Sequence, residues 1–363
     1  MRQPKLPMAR PLLGPEEAAA TARVLASGWI MQGPEVTEFE NEFAKFVDAP
    51  HACAVSSGTA ALHLSLLAVG VRPGDEVVTV SHSFIATANS VRLCGATPVF
   101  VDIEPATLNM DPERIAAAVG PRTRAILCVH QLGLPCDLGR IAALARQRAL
   151  ALVEDAACAA GSELRAGDAW QRIGRPHGDV ACFSFHPRKL ITTGDGGMVT
   201  TRDEAIDARV RAWRSHASRD GVHGLNYRMT DLQAAIGRVQ LGRLPGLLAE
   251  RRRLVDELRA RLCGVAFVEE PAWARSNWQS LSVRLPSASA AQRLLAALDA
   301  AGVAARPGLG NAHEQEDQRD GIRGALLASE SAAREHVQLP LPSGMTRQEL
   351  DLVVDVVNRA ARD

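Results

Sequence analysis

The sequence predicts an α/β protein with a mainly parallel central sheet covered by helices, followed by a smaller α+β C-terminal domain. Apolar runs of strand length alternate with helical patterns along the first two thirds of the 363 residues, which is the pattern of successive βαβ units. The last third instead carries a strand that alternates in polarity and amphipathic helices. A chain of this length buries roughly three quarters of its unfolded surface, so two substantial cores are expected.

Four apolar runs predict the strands of the parallel sheet, namely residues 76–80, 98–102, 125–129 and 150–153. Helical patterns separate them, as in residues 138–148. Residues 231–262 are predicted to form a helix that breaks near Pro245, since proline removes a backbone donor and its ring clashes with the preceding turn. The domain boundary is predicted there, with a large domain over 1–245, including the N-terminal segment, and a small domain over 246–363.

In the last third, residues 281–285 predict a strand, and residues 289–301 and 345–361 predict helices. Residues 306–313 between them are too rich in Gly and Pro for a regular element, which predicts a loop at the mouth of an active site. The chain has no GxGxxG and no Walker lysine motif, so neither a dinucleotide nor a nucleoside triphosphate site is predicted.

Composition excludes several classes of protein. The formal net charge is +0, which gives no general basic field for nucleic acid. The seven cysteines include no Cys-x-x-Cys pair, which disfavours a disulfide framework and a zinc ribbon and favours a reducing cytoplasm. The ten histidines show no metal-ligand spacing, so no metal is expected. There is no signal peptide pattern and no run of roughly twenty apolar residues, so a soluble cytoplasmic protein without a membrane partner is expected.

Lys189 is the first candidate catalytic residue. The chain is rich in arginine, and its only lysines are Lys5, Lys45 and Lys189. Lys189 lies in the stretch from Ser184 to Gly197, which ends an apolar strand and enters a Gly-rich turn. Because arginine keeps its proton while lysine can lose it and become a nucleophilic amine, Lys189 is a candidate for Schiff-base chemistry. The alternative is a solvated lysine on a loop.

Asp155 stands at the end of the apolar run 150–153. Ligands of open α/β sheets bind at the carboxyl ends of the strands, and an acid there can hold a protonated pyridine nitrogen of pyridoxal phosphate. A helix cap is the alternative role. Upstream, a polar turn with Gly58 and Thr59 opens an Ala/Leu helix, where free backbone amides can bind a phosphate, although ordinary capping explains the same residues.

A phosphate cradle, a strand-end acid and a lysine after a later strand each serve one part of a single cofactor. With the blocks Ser57 to Ala60, Glu154 to Ala157, Ser184 to Gly197 and Asn226 to Met229, the chain resembles the DegT/StrS-type sugar aminotransferases. These belong to the fold-type I pyridoxal phosphate enzymes, the superfamily of aspartate aminotransferase. The resemblance covers nearly the whole chain, and its most specific part is the block around Lys189.

The resemblance implies a role for each matching position. Lys189 would bond pyridoxal 5'-phosphate and shuttle protons, and Asp155 would pair with the pyridine nitrogen. The phosphate would be bound by Gly58, Thr59 and Ser184, and Phe84 would stack on the ring.

Across a homodimer interface, Asn226 and Arg228 would reach the cofactor phosphate of the other subunit, so that the active sites are shared. Cys158 departs from the family pattern, which commonly has Gln or His there to contact the phenolic oxygen of the cofactor. Because a thiol is a weak donor, Cys158 puts the tuning of the Schiff base in question. Trp29, His186 and His313 are the candidate substrate residues, and Asn277 and Trp278 are further candidates for the sugar site.

The resemblance implies an aminotransferase that moves an amino group from an amino acid, L-glutamate, to a nucleotide-linked keto sugar in amino-sugar, polysaccharide or secondary-metabolite biosynthesis. A keto cyclitol of the aminoglycoside type is the alternative acceptor. Dehydration or another imine reaction on the same scaffold is also open, although it typically requires His in place of the lysine.

Overall fold

The computed structural model describes residues 4–321 and 324–361. Eleven α-helices are found within these ranges: α1 Pro15–Ser27, α2 Pro34–Val47, α3 Gly58–Ala68, α4 Ala86–Leu93, α5 Pro112–Ala118, α6 Leu138–Gln147, α7 Glu204–Arg214, α8 Asp231–Arg261, α9 Ala288–Ala300, α10 Leu327–Glu335 and α11 Arg347–Ala360. The strands are β1 His51–Val55, β2 Glu76–Val80, β3 Thr97–Val101, β4 Thr123–Val129, β5 Ala151–Asp155, β6 Glu163–Ala166, β7 Ala169–Arg172, β8 Val180–Ser184, β9 Gly197–Thr201, β10 Ala266–Phe267, β11 Ala274–Arg275, β12 Leu281–Arg284, β13 Arg306–Pro307 and β14 His336–Leu339.

The central sheet has seven strands in the order β1-β9-β8-β5-β4-β2-β3. The strands β3, β2, β4, β5 and β8 are parallel, and only β9 runs against its two neighbours. The α/β class and the mainly parallel sheet are therefore confirmed. Each of the four predicted strands of this sheet is present, with its bounds shifted by no more than two residues.

Helices cover both faces of this sheet, which explains why its strands are apolar along most of their length. On one face, α3 packs against β8 and β9 and is buried at nearly every position. On the other, α2 contributes Phe39 and Phe43, whose rings contact Phe185 at centroid distances of 5.3 and 5.6 Å. The residues just after β8 are thus fixed by an aromatic cluster, which positions the segment that carries Lys189.

The start of α2 is capped from another helix. Gly33 offers no side chain to the first turn of α2, and the carboxylate of Asp231, at the start of α8, accepts from the N–H groups of Gly33 (2.7 Å), Val36 (3.1 Å) and Glu35 (3.3 Å). Because first-turn N–H groups lack intrahelical acceptors and favour a negative charge, the buried Asp231 joins the two helices.

The predicted break at Pro245 is wrong, because α8 runs without interruption from Asp231 to Arg261. A proline inside a helix costs about 3 kcal/mol. Leu241, Leu244 and Leu247, which flank Pro245, are all buried, and full burial of each leucine contributes about 1.5–3 kcal/mol. Packing therefore outweighs the lost hydrogen bond.

A second apolar core lies around the antiparallel sheet β10-β12-β14-β13. The later part of α8 packs into it through Leu254 and Leu258, together with α9 and α11, and the N-terminal Leu6 also belongs to it. The smaller unit thus combines helices with an antiparallel sheet, which is the expected α+β class. The boundary between 1–245 and 246–363 stays a prediction.

A three-stranded sheet of β11, β6 and β7 was not predicted. Ala274 of β11 is buried in the core of the large unit, and Leu164 of β6 packs against that core. Strands β6 and β7 are short and half exposed, so they lack the apolar runs that mark the central sheet. Within the described residues, every helix falls short of the length and apolar character that crossing a membrane requires.

Candidate active site

The carboxyl ends of the parallel strands open into a cavity of about 570 Å³. Segments after β2, β4, β5 and β8 form its floor, as expected for an open α/β sheet. Seven of the predicted site residues line it: Gly58, Thr59, Phe84, Asp155, Cys158, Ser184 and Lys189. His186, one of the three candidate substrate residues, also lines it.

Lys189 Nζ lies 3.0 Å from Cys158 Sγ. The lysine follows β8 in a tight turn, in which the N–H of Lys189 donates to the carbonyl of His186. Cys158 follows β5, and its carbonyl accepts from Asn277 Nδ2 at 2.8 Å. The two side chains from neighbouring strands thus meet, and the thiol is the hydrogen-bond partner of the one amine in the cavity.

Asp155 ends β5 and is 5% exposed. Its Oδ2 accepts from Thr87 Oγ1 at 2.8 Å, and its Oδ1 accepts from the N–H of Ala157 at 3.1 Å. Ser83 Oγ lies 2.9 Å from Thr87 Oγ1. The two donors hold the Asp155 carboxylate in one orientation at the cavity wall. Sequence reasoning did not identify Thr87 as one of these donors.

The N-terminus of α3, the predicted phosphate cradle, faces the cavity. Ser57 caps the helix by accepting from the N–H of Ala60 at 3.1 Å, which leaves the N–H groups of Gly58 and Thr59 without an intrahelical acceptor. A Cβ atom at Gly58 would lie 2.7 Å from Ser184 Cβ. The glycine is therefore required for β8 to approach the helix start, which brings the Ser184 hydroxyl beside the free amides.

Phe84 lines the cavity with 71% of its surface exposed. A phenylalanine that packs in a core would be buried, so core packing does not account for this side chain. A flat apolar face at the cavity wall can stack on an aromatic ligand ring.

Four predicted residues do not line the cavity that the described part of this one chain forms: Trp29, Asn226, Arg228 and His313. Arg228 Nε donates to Asn226 Oδ1 at 3.1 Å on the surface. Trp29 Nε1 donates to the carbonyl of Gln32 at 3.2 Å, and His313 Nδ1 lies 2.6 Å from Ser81 Oγ. The functional roles of these four residues stay predictions.

Asn277 and Trp278, the further candidates for the sugar site, do not line the cavity either. Asn277 is fully buried and donates to the carbonyls of Cys158 and Ala160. Trp278 packs into the second apolar core. Asn277 thus supports the turn that carries Cys158, and a role of Asn277 or Trp278 in a sugar site stays a prediction.

A buried pair of side chains supports the end of β5. Glu154 accepts from His130 Nε2 at 3.2 Å and from the N–H of Gly178 at 2.6 Å. The N–H of Cys136 donates to His130 Nδ1 at 3.1 Å, so Nδ1 carries no proton and His130 is the neutral Nε2–H tautomer. Among the described residues there is no group of three or more His, Cys, Asp or Glu that could hold a metal ion.

The arrangement fits pyridoxal 5'-phosphate on the chemistry of its donors. Free helix-start amides and a hydroxyl suit the phosphate, and an aspartate held by two donors suits a protonated ring nitrogen. An amine on the same cavity wall as the aspartate and the phosphate cradle can form a Schiff base.

Comparisons with known proteins agree with this geometry. Residues 11–358 match the model of the DegT/DnrJ/EryC1/StrS aminotransferase family. The chain is 36% identical to a GDP-perosamine synthase of Caulobacter vibrioides, over 98% of each sequence. It also matches the crystal structure of the aminotransferase TlmJ from Streptoalloteichus hindustanus, with a TM-score of 0.91, 34% identity and coverage of 98% of this chain and 99% of the other. A structure of DesI in the presence of its TDP-sugar product matches with a TM-score of 0.91, 31% identity and coverage of 99% and 94%.

Proposed function

Because the chain belongs to the DegT/DnrJ/EryC1/StrS aminotransferase family, we propose that it moves the amino group of L-glutamate to a nucleotide-linked keto sugar. The enzyme is a pyridoxal phosphate-dependent aminotransferase with the fold-type I architecture. The observation that carries the proposal is the meeting of Lys189, Asp155 and the start of α3 in one cavity. The identities of the amino donor, the acceptor and the biosynthetic pathway go beyond what membership of the family shows.

Each residue has one task in this proposal. Ser184 and the amides of Gly58 and Thr59 bind the phosphate, Asp155 faces the ring nitrogen and Phe84 covers the ring. Bound pyridoxal phosphate supplies a carbonyl carbon that exchanges amines and a ring that accepts the electrons of the substrate. Lys189 would hold the group through Nζ at rest and, when released, would carry the transferred proton at that atom.

Cys158 takes the place beside this amine that Gln or His commonly occupies in the family. Its Sγ is the hydrogen-bond partner of Lys189 Nζ in the structure. We propose that the thiol holds the released amine in position and that the cofactor's phenolic oxygen has a weaker donor here than in enzymes with Gln or His.

The nucleotide-linked acceptor is supported by the relatives. One is named as a GDP-perosamine synthase, and the DesI structure was determined with its TDP-sugar product. The lysine at position 189 favours aminotransfer over dehydration. A cytoplasmic setting is part of the proposal and is supported by seven free cysteines among the described residues.

Donor and chemistry are tested together by mixing the purified enzyme with L-glutamate, L-glutamine, L-aspartate and L-alanine in separate single-turnover experiments. We expect the visible spectrum to change to that of the pyridoxamine form fastest with L-glutamate, because conversion of the cofactor reports amine transfer directly. Faster conversion by another amino acid contradicts the proposed donor, and conversion by none contradicts aminotransfer.

The acceptor is then tested by adding a dTDP-linked or GDP-linked 4-keto sugar, or scyllo-inosose, to the pyridoxamine form. We expect return of the original spectrum with a nucleotide-linked sugar. Return with scyllo-inosose alone contradicts the nucleotide-linked acceptor and leaves the aminotransferase intact.

The attachment residue is tested by borohydride reduction and peptide mapping. We expect the cofactor on Lys189, and we expect Lys189→Ala and Lys189→Arg to lack any covalent link, because an alanine has no amine and an arginine keeps its proton. Lys45→Ala is the matched control. A label on Lys5 or Lys45 contradicts the assignment of Lys189.

We further propose a homodimer in which Asn226 and Arg228 complete the site of the partner. Asn226 and Arg228 lie on the surface, outside the cavity of their own chain. Trp29, Ile30 and Met31 are consecutive apolar residues, each about half exposed, and contiguous apolar surface favours an interface.

Subunit mixing tests the shared site. When Lys189→Ala is co-refolded with an Asn226→Ala/Arg228→Ala variant, mixed dimers contain one doubly defective site and one intact site. Partial recovery of turnover is therefore expected. If dimers shown to be mixed stay inactive, Asn226 and Arg228 act within their own chain and the shared site is contradicted.

A further inference from the structure

Two arginines on the cavity wall have no acidic partner. Arg188 precedes Lys189, and Arg306 lies in β13 of the smaller sheet, yet both line the same cavity. Within residues 4–321 and 324–361, neither guanidinium makes a hydrogen bond or an ion pair. Other arginines of the chain, such as Arg214 and Arg238, are paired with glutamates.

The backbone of each arginine is fixed. The N–H of Arg188 donates to His186 Nδ1 at 3.2 Å, and its carbonyl accepts from Gln279 Nε2 at 2.6 Å. Arg306 pairs with Gln338 of β14, whose Nε2 donates to the carbonyl of Pro307 at 3.1 Å. The two charges are therefore brought to the cavity by elements of the large and small sheets and not by mobile chain ends.

The pair is electrostatically uncompensated. Burial lowers the pKa of Arg188, and the neighbouring charge of Arg306 lowers that pKa further, while Cys158 acts in the opposite direction. Two like charges that share a partly desolvated cavity repel each other, and an anion between them removes that repulsion. The planar guanidinium presents paired N–H donors that match the oxygens of carboxylate and phosphate groups.

We propose that Arg188 and Arg306 form one anion site that holds the acidic group of the substrate while its reacting atom lies at Lys189 Nζ. The inference rests on the proposed function. Two groups share this chemistry, the carboxylate of the amino donor and the diphosphate of a nucleotide-linked acceptor. The two substrates would occupy the same cavity in turn, so both have access to the pair.

Binding of unreactive anions tests the site without any turnover. The cofactor-loaded enzyme is titrated calorimetrically with glutarate, which has the carboxylates of the donor but no amine, and with inorganic pyrophosphate. Wild type, Arg188→Gln, Arg306→Gln, the double variant and Arg293→Gln are compared. Arg293 is an exposed arginine of α9 and is the matched control.

We expect each single variant to raise the dissociation constant of at least one probe by roughly ten- to hundred-fold, since one charge-assisted hydrogen-bonding partner is lost. Arg293→Gln should leave it unchanged. Weaker binding of glutarate alone assigns the site to the donor carboxylate, and weaker binding of pyrophosphate alone assigns it to the diphosphate. Weaker binding of both probes assigns the site to both groups. Unchanged dissociation constants for both probes, or no binding by wild type, overturn the proposal.

Thermal unfolding separates a binding role from a structural role. In the ligand-free variants the melting temperature should stay constant or rise, because repulsion between the guanidiniums is relieved. The anion that binds wild type should raise its melting temperature through mass action, and this increase should be lost in the double variant. A lower melting temperature of the single variants would show that each arginine has a structural partner and would overturn the proposal.

Because these measurements need no catalysis, the anion site and the proposed reaction can be refuted independently of each other. Amine transfer from L-glutamate by wild type with unchanged probe binding in the variants refutes the anion site alone. Probe binding that depends on both arginines, together with no amine transfer, refutes the proposed reaction alone.

Discussion

Asp155→Asn removes a charge from the centre of the site while the local geometry can be kept. In the wild type, Asp155 Oδ2 accepts from Thr87 Oγ1 and Oδ1 accepts from the N–H of Ala157. An asparagine can leave its carbonyl oxygen toward Ala157 and direct its amide toward Thr87. The Thr87 hydroxyl then turns its proton to Ser83 Oγ, which is 2.9 Å away. Every polar group retains a partner, so a folded variant is expected.

In our proposal, the lost interaction is that between the carboxylate and the protonated ring nitrogen of the cofactor. Asp155 is 5% exposed, so water screens this pair little. Breaking a buried ion pair by removing one partner costs about 3–5 kcal/mol. At about 1.4 kcal/mol for each factor of ten, amine transfer from the donor should slow by roughly two to four orders of magnitude.

The assay is the single-turnover conversion of the cofactor by L-glutamate, followed by rapid mixing and absorbance. Thr87→Val serves as the matched control, because it removes one donor to Asp155 but keeps the carboxylate, and a much smaller loss of rate is expected. A rate for Asp155→Asn close to that of wild type, in a variant with normal cofactor content, would refute the reasoning and leave the carboxylate as a structural cap.

Two further predictions concern stability. Asp231→Ala removes the acceptor of the N–H groups at the start of α2 and should lower the free energy of unfolding by about 1.5–3 kcal/mol, the range for hydrogen bonds to a charged group; chemical denaturation at one fixed protein concentration measures it, and the exposed Asp355→Ala should change it little. Asp102, at the end of β3, accepts from the hydroxyl and N–H of Ser329; burial acts to raise its pKa, but these hydrogen bonds outweigh burial and lower it. Because its folded pKa is depressed, the stability that Asp102 contributes is present above the unfolded value of about 3.9 and is lost as the pH falls through the folded pKa, so the difference in unfolding free energy between wild type and Asp102→Asn should disappear in acid, and a difference that stays constant down to pH ~2 would contradict this assignment.

The strands of the central sheet could be predicted because each is buried on both faces. A run such as β2 or β4 must then be apolar at successive positions, which is a strong local signal. The start of α3 was also predictable, since Ser57, the residue just before the helix, caps it. In both cases the residues that determine the structure are close together in the sequence.

The continuity of α8 depends on contacts that sequence does not display. Pro245 is a correct local signal for a break, and tertiary packing of the leucines around it reverses the outcome. The short strands β6 and β7 were missed for a different reason. They are half exposed and have no apolar run that would predict a strand. Prediction from local sequence thus fails where contacts with distant residues decide the conformation, or where an exposed strand has no apolar pattern.

The candidate site shows the same division between local and distant information. Lys189, Asp155 and Cys158 each follow a strand, so their convergence can be argued from the rule that strand ends share one edge of the sheet. The Gly- and Pro-rich residues 306–313 predict a loop at the mouth of an active site, but this composition does not single out Arg306, whose backbone is fixed by the pairing of β13 with β14. The residues proposed to exchange the amine can therefore be found from sequence, whereas in our proposal the group that holds the acidic part of a substrate includes a residue of the smaller sheet. Predictions of substrate from sequence alone are accordingly weaker than predictions of chemistry, because the chemistry is carried by short segments at strand ends and the selectivity by the assembly of distant ones.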